Sequence, residues 1–149
     1  MELFIEEAIA LARLANDAQE FPVGAVIFKD DVVLGKGYNQ KEGLNDPSGH
    51  AEILALRAAA KQLGDWRLTG ATLVTTLEPC PMCLGAILQA RIQTIVYLAK
   101  DIRWGACGSV MDFSHHPKLN HRCDLVYRPN DEVVTLMKDF FKSKRHNHN

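Results

Sequence analysis

No run of apolar residues approaches the roughly 20 that a membrane-spanning helix needs. The amino terminus, Met1-Glu2-Leu3-Phe4-Ile5-Glu6-Glu7, carries acid where a secretory signal would carry base. These two absences predict a soluble, cytoplasmic protein with no membrane partner. Neither charge is in excess, since the 149 residues balance to −1. Nothing global marks a nucleic-acid binder, so any basic surface has to be local. No repeat and no linker rich in proline, glycine or serine divides the sequence. One domain over residues 1–149 is expected, with 146–149 as a frayed tail. Cysteine is sparse: Cys80, Cys83, Cys107 and Cys123. Four cysteines allow two disulfides in a secreted scaffold, but this chain is not small and loop-rich. In a cytosolic protein Cys-x-x-Cys reads as a metal or redox site. Cys107 and Cys123 then read as free, buried thiols.

What is present is an ordinary globular balance, 47% hydrophobic and 23% charged. Leu3, Phe4, Ala8, Leu11, Ala12 and Ala15 recur near helical spacing, which predicts a helix over 2–19 ended by Phe21-Pro22. Residues 23–28 and 32–38 read as strands joined by a hairpin at Lys29-Asp30-Asp31. A loop over 43–49 precedes a helix over 50–63, and 71–77 reads as a strand stopped by Pro79. Pro81 suits the first turn of a helix running to about 91. Strands follow at 94–99 and, more weakly, 125–127. A last helix over 131–144 has Asp131 as its N-cap. Five strands interleaved with helices predict an α/β domain of three layers, α/β/α, with helices on both faces of a mixed five-stranded sheet.

Two helix starts carry chemistry. His50-Ala51-Glu52 opens one, and Pro79-Cys80-Pro81-Met82-Cys83 opens the other. Zinc takes nitrogen and thiolate ligands, and catalytic sites use three protein ligands with one position left open. Cys80 and Cys83 can face one metal from a single turn, and His50 is the natural third ligand. The partial positive charge of a helix N-terminus favours thiolate. Glu52, two residues past His50, reaches the site without ligating, as a general base must. Taken singly, His50 reads as a cap, Glu52 as a dipole partner and Cys-x-x-Cys as a redox pair or half a zinc knuckle. The joint pattern, with a strand between two helices, favours one zinc ion per chain, although the same donors also suit iron.

At this point the sequence resembles the cytidine deaminase-like superfamily, whose zinc enzymes carry His-x-Glu and Pro-Cys-x-x-Cys. Further segments look like the bacterial tRNA wobble-adenosine deaminases: Phe21-Pro22-Val23-Gly24, Gly37-Tyr38-Asn39, Asp46-Pro47-Ser48-Gly49-His50, Thr76-Leu77-Glu78-Pro79, Gly108-Ser109-Val110-Met111-Asp112 and Asn120-His121-Arg122. The resemblance implies hydrolytic deamination of adenosine to inosine in a tRNA anticodon stem-loop by a homodimer. It implies that Asn39 hydrogen-bonds the flipped base, that Val23 walls the purine pocket and that Asp101 meets the nucleotide sugar. Asn39 also reads as a turn residue and Asp101 as a solvated loop acid. RNA phosphates would meet Lys142, Lys144 and Arg145, with Lys138, Lys100, Arg103 and Arg122 as further candidates. Such a run also reads as a solvated face. Ile102-Arg103-Trp104 departs from the family's small and polar residues, and Trp104 suits either a stacked nucleotide or a subunit interface. The competing enzyme reading is a free nucleobase or nucleoside deaminase, acting on guanine or cytosine. The non-catalytic reading is a zinc-stabilised RNA-binding module, which would have no use for Glu52.

Overall fold

The computed structural model describes residues 1–147, with side chains through Lys144. The elements, in chain order, are α1 (Glu2–Asp17), β1 (Gly24–Lys29), β2 (Val32–Tyr38), α2 (Ala51–Leu63), β3 (Thr72–Thr75), α3 (Pro81–Gln89), β4 (Thr94–Tyr97), β5 (Asp124–Tyr127) and α4 (Asp131–Asn147). α4 runs past the expected end at 144, so of the expected tail, residues 146 and 147 continue the helix, and 148 and 149 lie outside the described residues.

The five strands form one sheet in the order β2-β1-β3-β4-β5. β1 pairs antiparallel with both β2 and β3, while β3, β4 and β5 run parallel. The hairpin between β1 and β2 turns on Asp30 (φ 52°) and Asp31 (φ 62°). Two consecutive left-handed residues match the right-handed twist of the paired strands.

Alternation along the strands sorts the core into two layers. Ala25, Ile27, Leu73, Ile95 and Tyr97 face α2 and α3. Val26, Val74 and Val96 face the other way, against Phe4, Ile5, Ala8 and Ile9 of α1 and Val133 and Met137 of α4. The expected three-layer α/β/α architecture is therefore observed. Glycine in β2 sets how close α2 lies. A Cβ on Gly37 would come within 2.5 Å of the Ala51 carbonyl oxygen, and one on Gly35 within 2.5 Å of that of Ala55. Only a bare backbone lets the helix rest that low on the strand.

The boundaries differ from the sequence reading where backbone capping outweighs periodicity. α1 stops at Asp17, not 19, because Gln19 takes φ 62° and the Glu20 N–H returns to the Ala15 carbonyl at 2.9 Å. α3 stops at Gln89, two residues short, with Arg91 at φ 66°. β3 and β4 are shorter than expected, spanning Thr72–Thr75 and Thr94–Tyr97. Asn130, not Asp131, caps α4: its Oδ1 accepts from the Val133 N–H at 3.1 Å. The link from β4 to β5 makes a parallel crossover with no helix of its own.

Candidate active site

His50 and Cys80 occupy equivalent places. Each is the extended residue before a helix, His50 at φ −77°, ψ 150° and Cys80 at φ −76°, ψ 172°. Pro81 helps hold the second start, since its fixed φ suits a first helical residue and it has no N–H to satisfy. The two helix starts converge across the C-terminal end of β3. The sulfurs of Cys80 and Cys83 lie 3.7 Å and 3.4 Å from His50 Nδ1. All three donor atoms fall within 4.8 Å of one another. Bonds of about 2.0–2.1 Å to nitrogen and 2.3 Å to sulfur in a tetrahedron put N and S about 3.5–3.6 Å apart. The donor set and spacing therefore fit a zinc ion.

The electrostatics of the cluster are set by shared protons. The Cys80 thiol is brought down to about 4, chiefly by the hydrogen bond from Cys83, with His50 and the Cys83 backbone N–H adding to it against burial. The Cys83 thiol is pushed far up by the same hydrogen bond, by burial and by the charge on Glu52. His50 is raised above its ordinary value by its hydrogen bond with Cys80. The shared hydrogen bond thus favours thiolate at Cys80 and thiol at Cys83, and a bound metal ion would displace the remaining proton. Glu52, in the first turn of α2, is 4% exposed. Burial lifts its carboxyl to about 7, helped by the nearby Cys80 charge and opposed by its own backbone N–H and by His50.

A cavity of about 1240 Å³ opens beside the cluster. That exceeds the ~300–1,000 Å³ usual for a small-molecule site. Val23, Asn39, His50, Glu52 and Cys80 line its inner part. Asn39 is half engaged. Its Nδ2 donates to the Phe21 carbonyl at 3.2 Å and its Oδ1 accepts from the Lys41 N–H at 3.3 Å. One N–H and one lone pair of the amide remain for a ligand. Asp101 lies on the outer wall, where its Oδ1 accepts from the N–H groups of Arg103 at 3.0 Å and Trp104 at 3.1 Å. Its second oxygen makes no hydrogen bond among the described residues.

The rim alternates basic and aromatic groups. Lys100 sits over the Tyr127 ring at 5.0 Å, Arg103 over Phe141 at 5.6 Å and Lys144 over Phe140 at 5.6 Å. Phe140 and Phe141 in turn pack on Phe21 at 5.5 and 5.2 Å, which anchors the end of α4 beside the cavity. Not every predicted contact gathers here. Lys100, Arg103, Lys138 and Lys144 line the cavity, but Arg122 and Lys142 do not. Arg122 instead donates to the Pro117 carbonyl at 3.3 Å. The side chain of Arg145 lies outside the described residues. On either side of Arg122, His121 Nε2 and the Cys123 thiol both meet the Ile92 carbonyl, at 2.7 and 2.9 Å. The 120–123 segment therefore pins the chain just before β4 and does not line the cavity.

Sequence reasoning missed Phe140, Phe141 and Glu20 as parts of this region. Glu20 is 3% exposed and accepts from the N–H groups of Glu42 at 2.9 Å and Gly43 at 2.7 Å, holding the loop that leads to His50. The helical spacing of Val133, Met137 and Phe140 was a readable signal for the α4 face. No local pattern announces Glu20.

Comparison with known proteins agrees with the geometry. Residues 1–99 match the family model described as the cytidine and deoxycytidylate deaminase zinc-binding region. A tRNA-specific adenosine deaminase of Aquifex aeolicus is 39% identical over 146 residues, covering 98% of this chain and 97% of that one. A solved chain from work on A-to-I editing by tRNA:A34 deaminases at the wobble position of transfer RNA superposes with a TM-score of 0.81 at 41% identity. The superposition covers 85% of this chain and 97% of the other. The guanine deaminase of Bacillus subtilis is more distant, with a TM-score of 0.65 at 33% identity over 95% of this chain and 93% of its own. The His50, Cys80 and Cys83 cluster, the three-layer fold and these relatives agree: the chain is a zinc-dependent hydrolytic deaminase and belongs to the bacterial-type tRNA-specific adenosine deaminases of the cytidine deaminase superfamily.

Proposed function

We propose that this protein converts adenosine to inosine at the wobble position of a tRNA anticodon. The observation that carries the reading is the continuity of the cavity. It runs from the ligand cluster and Glu52 out to a rim of Lys100, Arg103, Lys138 and Lys144 interleaved with aromatic rings. Positive groups suit a phosphate backbone and aromatic faces suit unstacked bases, which is how single-stranded RNA is held.

His50, Cys80 and Cys83 hold one zinc ion per chain in this reading. Zinc supplies Lewis acidity, which makes water a competent nucleophile near neutral pH. As the water oxygen bonds to adenine C6, Glu52 would move one of the water's protons to N1 and then the other to the amino group, so that the C6–N bond breaks, ammonia leaves and the 6-oxo base of inosine remains. Its carboxyl, lifted to about 7 by burial, is matched to receiving and returning a proton. Asn39 orients the base with its remaining amide hydrogen and lone pair, and Val23 closes the apolar side of the pocket. Asp101 offers its uncommitted oxygen to a ribose 2′-OH, the group that separates RNA from DNA. A tRNA substrate is consistent with the proposed cytoplasmic location. No helix among the described residues is long and apolar enough to cross a membrane. A homodimer completes the proposal, with exposed Met82 and Ile102 beside the cavity supplying apolar surface for a second copy. A monomeric mass by light scattering at micromolar concentration would remove that part.

The resemblance to a guanine deaminase favours a second reading, free-base deamination. One experiment separates the two. The purified zinc protein is incubated with an anticodon stem-loop RNA and, separately, with guanine, cytosine and adenosine. Inosine in the digested RNA by mass spectrometry, with little ammonia from the free compounds, is expected. Rapid guanine turnover with an untouched stem-loop would reverse the assignment.

A further inference from the structure

Glu78 lies two residues before Cys80, is 2% exposed, and takes no part in the chemistry above. Both of its oxygens accept from a single distant segment. Oε1 accepts from the Asp101 N–H at 3.1 Å and from the Ser109 hydroxyl. Oε2 accepts from the N–H groups of Cys107 at 2.9 Å and Ser109 at 3.1 Å. The backbone on either side joins in. The Glu78 N–H donates to the Ala99 carbonyl at 2.9 Å, and the Ala106 N–H donates to the Pro79 carbonyl at 2.8 Å. A Cβ on Gly105 would collide with the Glu78 carboxyl, so the loop folds over this group as closely as a backbone can.

The 100–109 loop lies in the helix-free crossover from β4 to β5, and its regular pairing is limited to the isolated bridge between Cys107 and Asp112. Its other ties are short-range turns about the Gly105 carbonyl and N–H and a long bond from the Tyr97 hydroxyl to the Cys107 carbonyl at 3.4 Å, so Glu78 and Pro79 supply the anchors that fasten it to the strand end leading to Cys80. Buried backbone N–H groups need acceptors, and a carboxylate with four acceptor positions supplies them from one point. Glu78 fastens the loop at Asp101 and again at Cys107 and Ser109. Between these anchors stand Arg103 and Trp104, whose N–H groups are gathered by Asp101. Asp101, Arg103 and Trp104 all face the cavity.

We infer that Glu78 is a positioning residue: it holds the 100–109 loop as the RNA-binding wall of the cavity and sets substrate affinity without touching substrate. The inference rests on the RNA reading above for its substrate. The mechanism makes a sharp demand on the side chain. Glutamine has the same shape but replaces one oxygen by an amide donor. At the Oε2 position that donor would face the N–H groups of Cys107 and Ser109, and at the Oε1 position it would face the Asp101 N–H while the Ser109 hydroxyl turns to accept, so in either orientation at least one backbone anchor is lost and the loop is loosened while the surrounding packing stays filled. Serine 109 offers a milder probe, since alanine there removes one anchor.

Wild type, Glu78→Gln and Ser109→Ala are compared as zinc-loaded proteins by metal analysis, by steady-state deamination of an anticodon stem-loop RNA, and by limited trypsin digestion read by mass spectrometry. Glu78→Gln is expected to keep wild-type zinc content, raise KM about tenfold and leave kcat within about threefold, because binding is lost and chemistry is not. Cleavage after Lys100 or Arg103 is expected to quicken about tenfold while cleavage elsewhere is unchanged, since local opening exposes only this loop. Ser109→Ala moves both readouts in the same direction by less, and decides the matter alone if Glu78→Gln does not fold. Wild-type KM and wild-type loop cleavage in the variants overturn the inference. So does zinc loss, or a fall in kcat at constant KM, which would place the carboxylate at the metal centre. A wild-type enzyme inert toward the stem-loop defeats the substrate reading, while the trypsin result still decides whether Glu78 holds the loop.

Discussion

Cys80 and Cys83 carry the same thiol, yet their places at one helix start drive them apart. Cys80 receives a hydrogen bond from its neighbour and drops to about 4, and Cys83 gives that bond from a buried site and rises. The thiolate is the reactive form. In protein stripped of metal, Cys80 should therefore alkylate first with iodoacetamide, at a rate nearly constant from about pH 5.5 to 8, because it is already ionised across that range. Peptide mass spectrometry at each pH checks this. A rate that climbs with pH as an ordinary cysteine's does would contradict the arrangement. Cys123, pushed up to about 12 by burial, should stay unmodified until the protein unfolds. Glu52 tests the other half of the site. If Glu52 carries the proton as proposed, Glu52→Ala should abolish turnover while the zinc content by metal analysis stays at the wild-type level, since the donor cluster is His50, Cys80 and Cys83. Loss of a general acid–base group costs about 10²–10⁴-fold at least. Activity retained by that variant would remove Glu52 from the mechanism.

At the scale of elements, the site depends on how closely α2 rests on β2. Gly37 lies under Ala51, the first residue of α2, directly after His50 and before Glu52. Gly35 lies one turn further along, under Ala55 and Ala59. A methyl group at either position pushes the helix outward, and overpacking of this kind costs about 1–3 kcal/mol. Gly37→Ala and Gly35→Ala should therefore both lower stability in urea by similar amounts. Only Gly37→Ala should also weaken zinc, read by competition with a chelator, because it displaces the end of the helix that carries the ligand. Equal zinc affinity in the two variants would show that the helix start adjusts independently of the strand. Much at this scale was readable beforehand. Periodicity and Pro81 located α3, and the hairpin signal located β1 and β2. The ends were harder, since Gln19 and Arg91 adopt left-handed backbone that no residue type there announces. Asn130 rather than Asp131 caps α4 for a similar reason: adjacent residues of equal capping ability are separated only by where the chain turns.

The whole molecule carries a net charge of −1, so attraction to RNA has to come from how its charges are placed. Lys100, Arg103, Lys138 and Lys144 gather at one cavity mouth. Replacing Lys138 and Lys144 together by glutamate should weaken stem-loop binding by about tenfold or more and flatten its salt dependence, each lost phosphate contact removing about 0.7 from the slope. Arg122→Glu should leave both nearly unchanged, because that residue sits away from the cavity on the Pro117 carbonyl. Fluorescence anisotropy between 50 and 200 mM salt, the range over which counterion release is pronounced, makes the comparison. An equal loss from Arg122→Glu would move the RNA path across the 117–122 face.

The fold class and the His50, Cys80 and Cys83 cluster were legible in the sequence. Strand alternation and helix periodicity are local, and so are the ligands: His50 and Glu52 share one helix start, Cys80 and Cys83 another, and donor chemistry narrows what such a set can hold. Tertiary structure alone decided which polar groups meet across the chain. The Asn120-His121-Arg122 segment resembled the family as strongly as any, yet it braces the buried Ile92 just before β4. Phe140 and Phe141 reach the cavity only because Phe21 draws α4 over it. Glu78 looked like one more letter of a motif until its four donors were seen to come from 23 to 31 residues away. Contacts at that separation leave no period and no spacing in the sequence, because packing brings them together and local geometry does not.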